Sequence, residues 1–170
     1  KLDFIFSKGK LSADLDCTEP MINTERRIVL KDARHPLMDK EVNVPLQFEI
    51  GTNARGIIIT GPNTGGKTVA IKTVMLNCLM AQCGLHVTCR EADICMNSAY
   101  LCDIGDGQNI AENLSTFSAH IKNVLEVLSR VNKDSLVIMD ELGSGTDPAE
   151  GMGIAISILE ELRKSGCNFI

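Results

Sequence analysis

The residues best suited to chemistry form a glycine-rich segment, 61–68, with the sequence GPNTGGKT. It fits the phosphate-binding pattern GxxxxGK followed by Ser or Thr, in which glycines let backbone N–H groups turn inward around phosphates. Lys67 can reach the β- and γ-phosphates of a nucleotide, and the Thr68 hydroxyl can ligate Mg²⁺. We therefore predict a nucleotide site formed by a continuous run of residues: Gly61, Pro62, Asn63, Thr64, Gly65, Gly66, Lys67, Thr68 and Val69.

The segments on either side of this loop are the ones that such a loop requires. The β-branched run Gly56–Thr60 predicts a buried strand before it, and Val69–Cys83 predicts a helix after it. The N-terminal dipole of that helix would face the anion, and Gly84 is a natural end for the helix. Asn63 has the reach to touch a phosphate or the attacking water, but Asn is also a common turn former, so both interpretations stay open.

A second candidate element is the hydrophobic run LVIM at 136–139, which is followed directly by Asp140 and Glu141. A strand that ends in an acidic residue beside the metal is the usual companion of a phosphate-binding loop. Asp140 would hold the hydration shell of Mg²⁺, while Glu141 would polarise the water that attacks the γ-phosphate.

The next helix carries start and stop signals. Asp147 fits the N-cap position, Pro148 the first helical position and Glu150 the third, while Gly166 fits the end. The spacing predicts an apolar face made of Ala149, Met152, Ile156, Leu159 and Leu162. A strand is predicted over 167–170.

The rest of the chain is less informative. Residues 1–16 have near-helical apolar spacing, and 17–46 contain short β-like runs at 27–30 and 42–44, broken by prolines. His35, beside Pro36, either packs near the nucleotide or satisfies a loop, and we favour the loop.

Composition limits the classes of protein that remain. The chain has 170 residues, of which 44% are hydrophobic, and this suits one globular domain. A net charge of −5 argues against an extended basic surface for nucleic acid, and no apolar run is long enough to cross a membrane. The seven cysteines follow no zinc spacing, so we expect reduced thiols in a cytoplasmic protein. Because the chain starts at Lys1, we expect it to be part of a longer protein.

Three motifs together resemble the ATPase domain of the MutS family: GPNTGGKT, DIGDGQNIAENLSTFSAH at 103–120, and SLVIMDELGSGTDP at 135–148. The RHPL element at 34–37 and the Asp147-Pro148 pair are most similar to the branch called MutS type two. The resemblance implies an α/β P-loop NTPase fold of the ABC-ATPase type, with a mixed sheet flanked by helices. It further implies that 1–16 is the end of a helical core and that 17–170 is the ATPase domain, truncated at both ends and lacking its final strands and sensor histidine.

The resemblance also implies a catalytic role for Ser115 in trans, beside Lys67 and Glu141 of the other subunit. In this family the corresponding segment reaches across a dimer to the γ-phosphate. From the residues alone, the segment predicts a helix N-terminus with Ser115 or Thr116 as its cap. Its apolar face would comprise Ile121, Val124, Leu125 and Leu128.

The function implied is an ATP-binding and ATP-hydrolysing motor, with Mg²⁺ as cofactor, that works by nucleotide-dependent homodimerisation. Other domains of the full-length protein would bind branched or recombining DNA, or stalled ribosomes through ribosomal RNA, and an endonuclease activity would belong to a further domain. Without the sensor histidine, this chain alone is expected to hydrolyse ATP weakly or not detectably. The alternatives are a mismatch-recognising MutS proper and a nucleotide-dependent interaction module without turnover. An ABC transporter ATPase is disfavoured because NLSTFS stands where an LSGGQ-like signature would be.

Overall fold

A computed structural model of the chain describes residues 1–62, 65–104 and 113–170, with the side chains of 113–117 and 119 outside that description. The described part has an α/β architecture with four helices and seven strands, arranged in two sheets. The chain divides into two compact units. The first unit comprises 1–54 and 59–97, and the second comprises 55–58 and 98–170.

The first unit is a four-stranded mixed sheet with two helices. Its elements are α1 (Leu2–Asp14), β1 (Met21–Asn23), β2 (Ile28–Ala33), β3 (Leu46–Ile50), α2 (Lys67–Gln82) and β4 (Glu91–Cys95). The strand order is β1-β4-β2-β3, in which only the β1–β4 pair is parallel. Alternate residues of β2 point into the core, where Ile28 and Leu30 are buried together with Val74 of α2.

The second unit is a parallel sheet whose strands are connected by helices. Its elements are β5 (Ala99–Asp103), α3 (Asn113–Arg130), β6 (Ser135–Met139), α4 (Pro148–Ser165) and β7 (Asn168–Phe169), and the strand order is β5-β6-β7. All of β6 except Met139 is buried, as expected for a strand covered on both faces. Asp103 lies opposite Met139, so β5 and β6 end at the same edge of the sheet.

Helix predictions that rest on local signals are confirmed. The helix expected within 1–16 is α1, the one expected over 69–83 is α2, and α4 begins where its capping residues indicate. Asp147 Oδ1 accepts a hydrogen bond from the N–H of Ala149 at 2.9 Å, and Pro148 is the first helical residue. Gly166 ends α4 at φ +72°, a conformation that glycine adopts without steric cost.

The predicted buried strand at Gly56–Thr60 is wrong in extent and in burial. Only Gly56 forms a bridge, parallel to Phe169, and the N–H of Ile57 donates to the Phe169 carbonyl at 2.9 Å. Ile58 and Ile59 are 69% and 40% exposed. The reason is that β7 has only two residues, so its hydrogen bonds end at Ile57 and the run beyond has no strand to pair with among the described residues.

The predicted apolar face of α4 is wrong in part. Met152 and Ile156 are 63% and 51% exposed, whereas Gly151, Ile158 and Leu162 are buried. The helix carries apolar residues on several sides, so periodicity does not define one face. The close packing of Gly151 determines which face points toward the core. Periodicity alone identified Leu159 and Leu162 correctly, since both pack on the core, but it placed Met152 and Ile156 on the wrong side of the helix.

Two further predictions also differ from the structure: the cap and apolar face of α3, and a strand at 42–44. Helix α3 begins at Asn113, so Ser115 and Thr116 lie within its first turn and not at its cap, and Leu125 is 61% exposed while Val124 and Val127 are buried. Residues 42–44 form no strand. There the side chain of Asn43 forms hydrogen bonds with the backbone of His35. These bonds stabilise a loop, and such local bonds compete with strand pairing. Among the described helices, none has the length and apolar character needed to cross a membrane.

Candidate functional site

The glycine-rich loop of the first unit adopts backbone conformations that its glycines make possible. Gly66 is the N-cap of α2 at φ +75°, and Gly61 has φ +149°. A Cβ atom at either position would meet no atom of the described residues within 4 Å, so what these residues show is a role for both glycines in backbone conformation. The N–H of Gly65 donates to the Pro62 carbonyl at 3.0 Å, which closes the turn.

Lys67 is folded back over this loop. Its ammonium nitrogen donates to the carbonyls of Gly61, at 2.6 Å, and Pro62, at 2.9 Å. These contacts hold a positive charge against the backbone of Gly61 and Pro62, and a lysine is well suited to bind phosphate as a compact point charge. The loop and its lysine therefore form one electropositive feature.

The N-terminus of α2 adds to that feature. The first turn contains no acidic residue, and the N-cap, Gly66, has no side chain that could cap the helix. The N–H of Ala70 donates to the Gly66 carbonyl at 2.9 Å. The amides at the start of a helix, before this first bond, have no acceptor within the helix itself. A helix end of this kind favours an anion. Thr68 lies half-buried in the same turn.

In the second unit, Asp140 follows the last residue of β6 and is 7% exposed. Its N–H donates to the Asp103 carbonyl at 2.9 Å, which continues the β5–β6 ladder by one residue. Its Oδ1 accepts from the N–H of Glu141 at 3.1 Å. The carboxylate is thus fixed at the C-terminal edge of a parallel sheet, where ligand sites of open α/β sheets occur.

Glu141 has a left-handed backbone, with φ +50°, and an exposed side chain. A glutamate in this conformation is strained by about 1–3 kcal/mol, and such residues persist where the surrounding structure imposes them. Its carbonyl accepts from the N–H of Ser144 at 3.0 Å, which closes a turn directly after the strand. The turn separates the two carboxylates, with Asp140 inward and Glu141 outward.

The loop after Glu141 approaches α4 most closely at two glycines, one in the loop and one in the helix. A Cβ atom on Gly143 would lie 2.4 Å from the Gly151 carbonyl oxygen, and one on Gly151 would lie 2.1 Å from the Gly143 carbonyl oxygen. Gly143 also has φ +83°. The position of this loop therefore depends on two glycines, one of which sequence reasoning had placed in a helix without a role.

A buried contact that the sequence did not predict links α3 to β5. His120 Nδ1 lies 2.7 Å from Asp103 Oδ2, and the two side chains are 17% and 4% exposed. The approach lacks the alignment of a hydrogen bond, so we describe it as an electrostatic contact. Asn123, one turn further along α3, donates to Asp103 Oδ1 at 3.5 Å.

The remaining predicted residues divide into two groups. Asn63, Thr64 and the side chain of Ser115 lie outside the described residues, and their roles stay predictions. Lys67 and Thr68 belong to the first unit, whereas the two carboxylates belong to the second, so their combination in one site also stays a prediction.

His35 satisfies a loop, as favoured from the sequence. Its N–H donates to Asn43 Oδ1 at 3.1 Å, its carbonyl accepts from Asn43 Nδ2 at 2.8 Å, and its Nδ1 accepts from the N–H of Leu37 at 3.3 Å. Burial, together with the charge of Lys72, lowers the pKa of this imidazole.

The thiols are distributed between core and surface. Burial and the neighbouring Cys17 raise the pKa of Cys89 to about 12, which disfavours the thiolate. Cys83 and Cys102 are exposed. Within the residues that the structure describes, no three His, Cys, Asp or Glu side chains form a group that could hold a metal ion.

The chain was compared with known proteins. Residues 57–170 match the family model for MutS domain V. The chain is 51% identical over 167 residues to the endonuclease MutS2 of Acetivibrio thermocellus, covering 98% of this chain and 21% of that protein. It is 49% identical over 170 residues to the endonuclease MutS2 of Bacillus mycoides, covering 99% of this chain and 22% of that protein.

A third relative is the endonuclease MutS2 of Ruminiclostridium cellulolyticum, with 50% identity over 167 residues, which cover 98% of this chain and 21% of the relative. The chain therefore spans about a fifth of the length of the curated relatives that it matches. Both the family model and these relatives include the strand, loop and helix that carry Asp140, Glu141 and Gly143. The chain belongs to the MutS family, as a domain V of the MutS2 branch.

Proposed function

We propose that this chain is the ATP-binding and ATP-hydrolysing domain of a MutS2-type protein. The observation that carries the proposal is the Lys67 ammonium, which the Gly61 and Pro62 carbonyls hold; Lys67 is the first residue of a helix whose N-cap is a glycine. A lysine, a glycine-rich turn and a helix dipole together match the charge of a triphosphate. Membership of the MutS family supports the same conclusion.

The first unit would bind the phosphates. Backbone N–H groups at the start of α2 would donate to the phosphate oxygens, and Lys67 would exchange its loop carbonyls for the β- and γ-phosphates. Lys67 would then neutralise the negative charge that develops on the transferred group. Gly66, at φ +75°, has a backbone conformation that glycine adopts without steric cost, and it would let the first amides of α2 face the phosphates.

The residues available for Mg²⁺ fit that ion. The Asp140 carboxylate and the Thr68 hydroxyl are oxygen ligands, and Mg²⁺ is usually held by one or two such groups, by waters and by substrate phosphates. When bound, the ion would offset the negative charge of the phosphates. Asp140, which is fixed by its amide contact to Asp103, would hold the hydration shell in place.

Glu141 would orient the attacking water. Its left-handed backbone turns its side chain out of the β6 ladder while Asp140 stays buried, and this separates the metal role from the water role. Ser115 of a second subunit would complete the site at the γ-phosphate, since it lies in the first turn of α3, which is itself a helix N-terminus. Turnover would then require a homodimer.

The wider function follows from the relatives. They are named endonuclease MutS2, and this chain spans about a fifth of their length. We propose that other parts of the full-length protein act on branched or recombining DNA, or on ribosomal RNA in stalled ribosomes, in the cytoplasm. This domain would supply nucleotide-dependent movement.

Glu141→Gln in the complete protein that contains this chain tests the hydrolytic role. We expect ATP turnover to fall about 100-fold or more, since loss of a positioned base commonly costs that much, while the affinity for ATP stays within about twofold. The control is Glu161→Gln, which removes an exposed carboxylate of α4 that pairs with Lys164. Unchanged turnover would contradict the role of Glu141. Tight ATP binding by a wild-type protein without any turnover would favour the interaction module instead.

A further inference from the structure

The contact between Asp103 and His120 lies where two candidate catalytic segments meet. Asp103 is the last residue of β5, and its carboxylate is almost fully buried. A buried carboxylate is costly unless cations or donors compensate it. Among the described residues, the groups that approach it are the imidazole of His120 and the amide of Asn123, both on α3. Asp103 therefore binds this helix to the end of the sheet.

The backbone of the same residue reaches the metal carboxylate. The Asp103 carbonyl accepts the N–H of Asp140 at 2.9 Å. One residue thus contacts α3 through its side chain and the end of β6 through its main chain. A displacement of α3 that carries His120 along would act on the residue that holds the Asp140 amide.

His120 also lies close to the start of α3. Ser115 precedes it by five positions, which corresponds to about 7.5 Å along the helix axis. Its Nε2 is buried and has no hydrogen-bond partner within the described part of the chain, so the imidazole has no described polar contact other than Asp103. Among the described residues, one carboxylate therefore orients the imidazole.

We propose that Asp103 and His120 are a pair of positioning residues that couples the Ser115 end of α3 to the Asp140 amide of the same subunit. The proposal rests on the ATPase function proposed above. In a dimer, the helix that completes the partner's site would thereby fix the metal carboxylate of its own site. Occupancy of one nucleotide site would then influence the other through a histidine, an aspartate and one backbone hydrogen bond.

The test uses His120→Leu, His120→Asn and Asp103→Asn in the complete protein that contains this chain. Leucine fills a similar volume without a polar atom, whereas the asparagine amide lies close to the position of Nδ1 and can donate to Asp103. The matched control is His86→Leu, because His86 is exposed and its Nδ1 contacts only the Ser12 hydroxyl, at 2.8 Å, among the described residues.

The first measurement is hydrogen exchange at the Asp140 amide in the absence of nucleotide. We expect exchange to be about tenfold faster in His120→Leu, near the wild-type rate in His120→Asn, and unchanged in His86→Leu, with the β6 amides before Asp140 still protected. An exchange rate of the Asp140 amide equal to the wild-type rate in both His120→Leu and Asp103→Asn would overturn the proposal.

The second measurement is steady-state ATP hydrolysis as a function of Mg²⁺. We expect His120→Leu to lower kcat about tenfold and to raise the Mg²⁺ concentration for half-maximal rate, with KM for ATP within about twofold, and His120→Asn to recover most of the rate. A residue with a purely structural role would not change kcat and the Mg²⁺ requirement while leaving KM for ATP unchanged. If the wild-type protein does not hydrolyse ATP, the proposed function fails, whereas the exchange measurement still decides whether the pair holds the Asp140 amide.

Discussion

Asn77→Leu should destabilise the first unit because it leaves one buried hydrogen-bond donor without an acceptor. Asn77 is on α2 and is completely buried. Its Oδ1 accepts from the N–H of Thr88 at 2.9 Å, and its Nδ2 donates to the carbonyls of Arg34, at 3.2 Å, and Thr73, at 2.9 Å. One amide thus connects three segments of the unit.

Leucine is close to asparagine in size but satisfies none of these groups. The Arg34 carbonyl would keep its bond from Thr88 Oγ1, at 2.6 Å, and the Thr73 carbonyl lies inside α2, where the helix supplies a partner. The N–H of Thr88 would be left buried without a partner. Leaving one such group unsatisfied costs about 1–3 kcal/mol, and loss of the remaining bonds adds about 1 kcal/mol. We therefore expect the free energy of unfolding to fall by about 2–4 kcal/mol.

The assay is urea unfolding followed by far-ultraviolet circular dichroism, because the chain contains no tryptophan. The matched variant is Thr88→Val, which removes only the hydroxyl bonds and should cost about 1 kcal/mol. Amide exchange at Thr88 in Asn77→Leu gives a local check. A loss below about 1 kcal/mol, with Thr88 still protected, would refute the reasoning.

Three further predictions concern packing, thiols and pH. Gly143→Ala should lower the free energy of unfolding in urea by about 3 kcal/mol, because φ is +83° and the new Cβ would lie 2.4 Å from a backbone oxygen of α4. The control is Gly153→Ala, which has open space among the described residues and should stabilise the helix slightly. Thiol labelling of the native protein at neutral pH should modify the exposed Cys83 quickly and leave Cys89, whose pKa is about 12, unmodified; equal rates would contradict the burial. Because the pKa of His35 is lowered in the folded state, its contribution to stability is complete above its ordinary value of 6.5 and is lost as the pH falls. His35→Asn should therefore show a smaller change of urea midpoint between pH 7 and 5 than the wild type, and equal changes would exclude this contribution.

The sequence predicts best those features that depend on neighbouring residues. The N-cap at Asp147 and the helix end at Gly166 are local, and both are confirmed. Strands β1, β3, β4 and β5 were not predicted, because their stability depends on partners that are distant in the sequence. The exposure of Ile58 likewise depends on the length of β7, at the other end of the chain.

The candidate site shows the same division. Lys67 and Asp140 are recognisable from their motifs, because the chemistry requires those residue types at that spacing. The contacts that position these two residues cannot be recognised from the sequence. The Gly61 carbonyl holds Lys67, and the Asp103 carbonyl holds Asp140. Backbone acceptors carry no residue-type signal, so three-dimensional structure is needed to find them. The one sequence signal for the Asp103–His120 pair was its position at the two ends of the 103–120 motif.

The central claim is that the loop around Lys67 binds the phosphates of ATP. The most direct test is calorimetric titration of the complete protein that contains this chain with Mg-ATP and Mg-ADP, comparing wild type, Lys67→Ala and Lys10→Ala, an exposed lysine of α1. We predict saturable binding by the wild type and by Lys10→Ala, and a loss of affinity of at least about 100-fold in Lys67→Ala, as expected for a charged contact to phosphate. Equal affinity in Lys67→Ala and wild type, or no binding by the wild type, would contradict the claim.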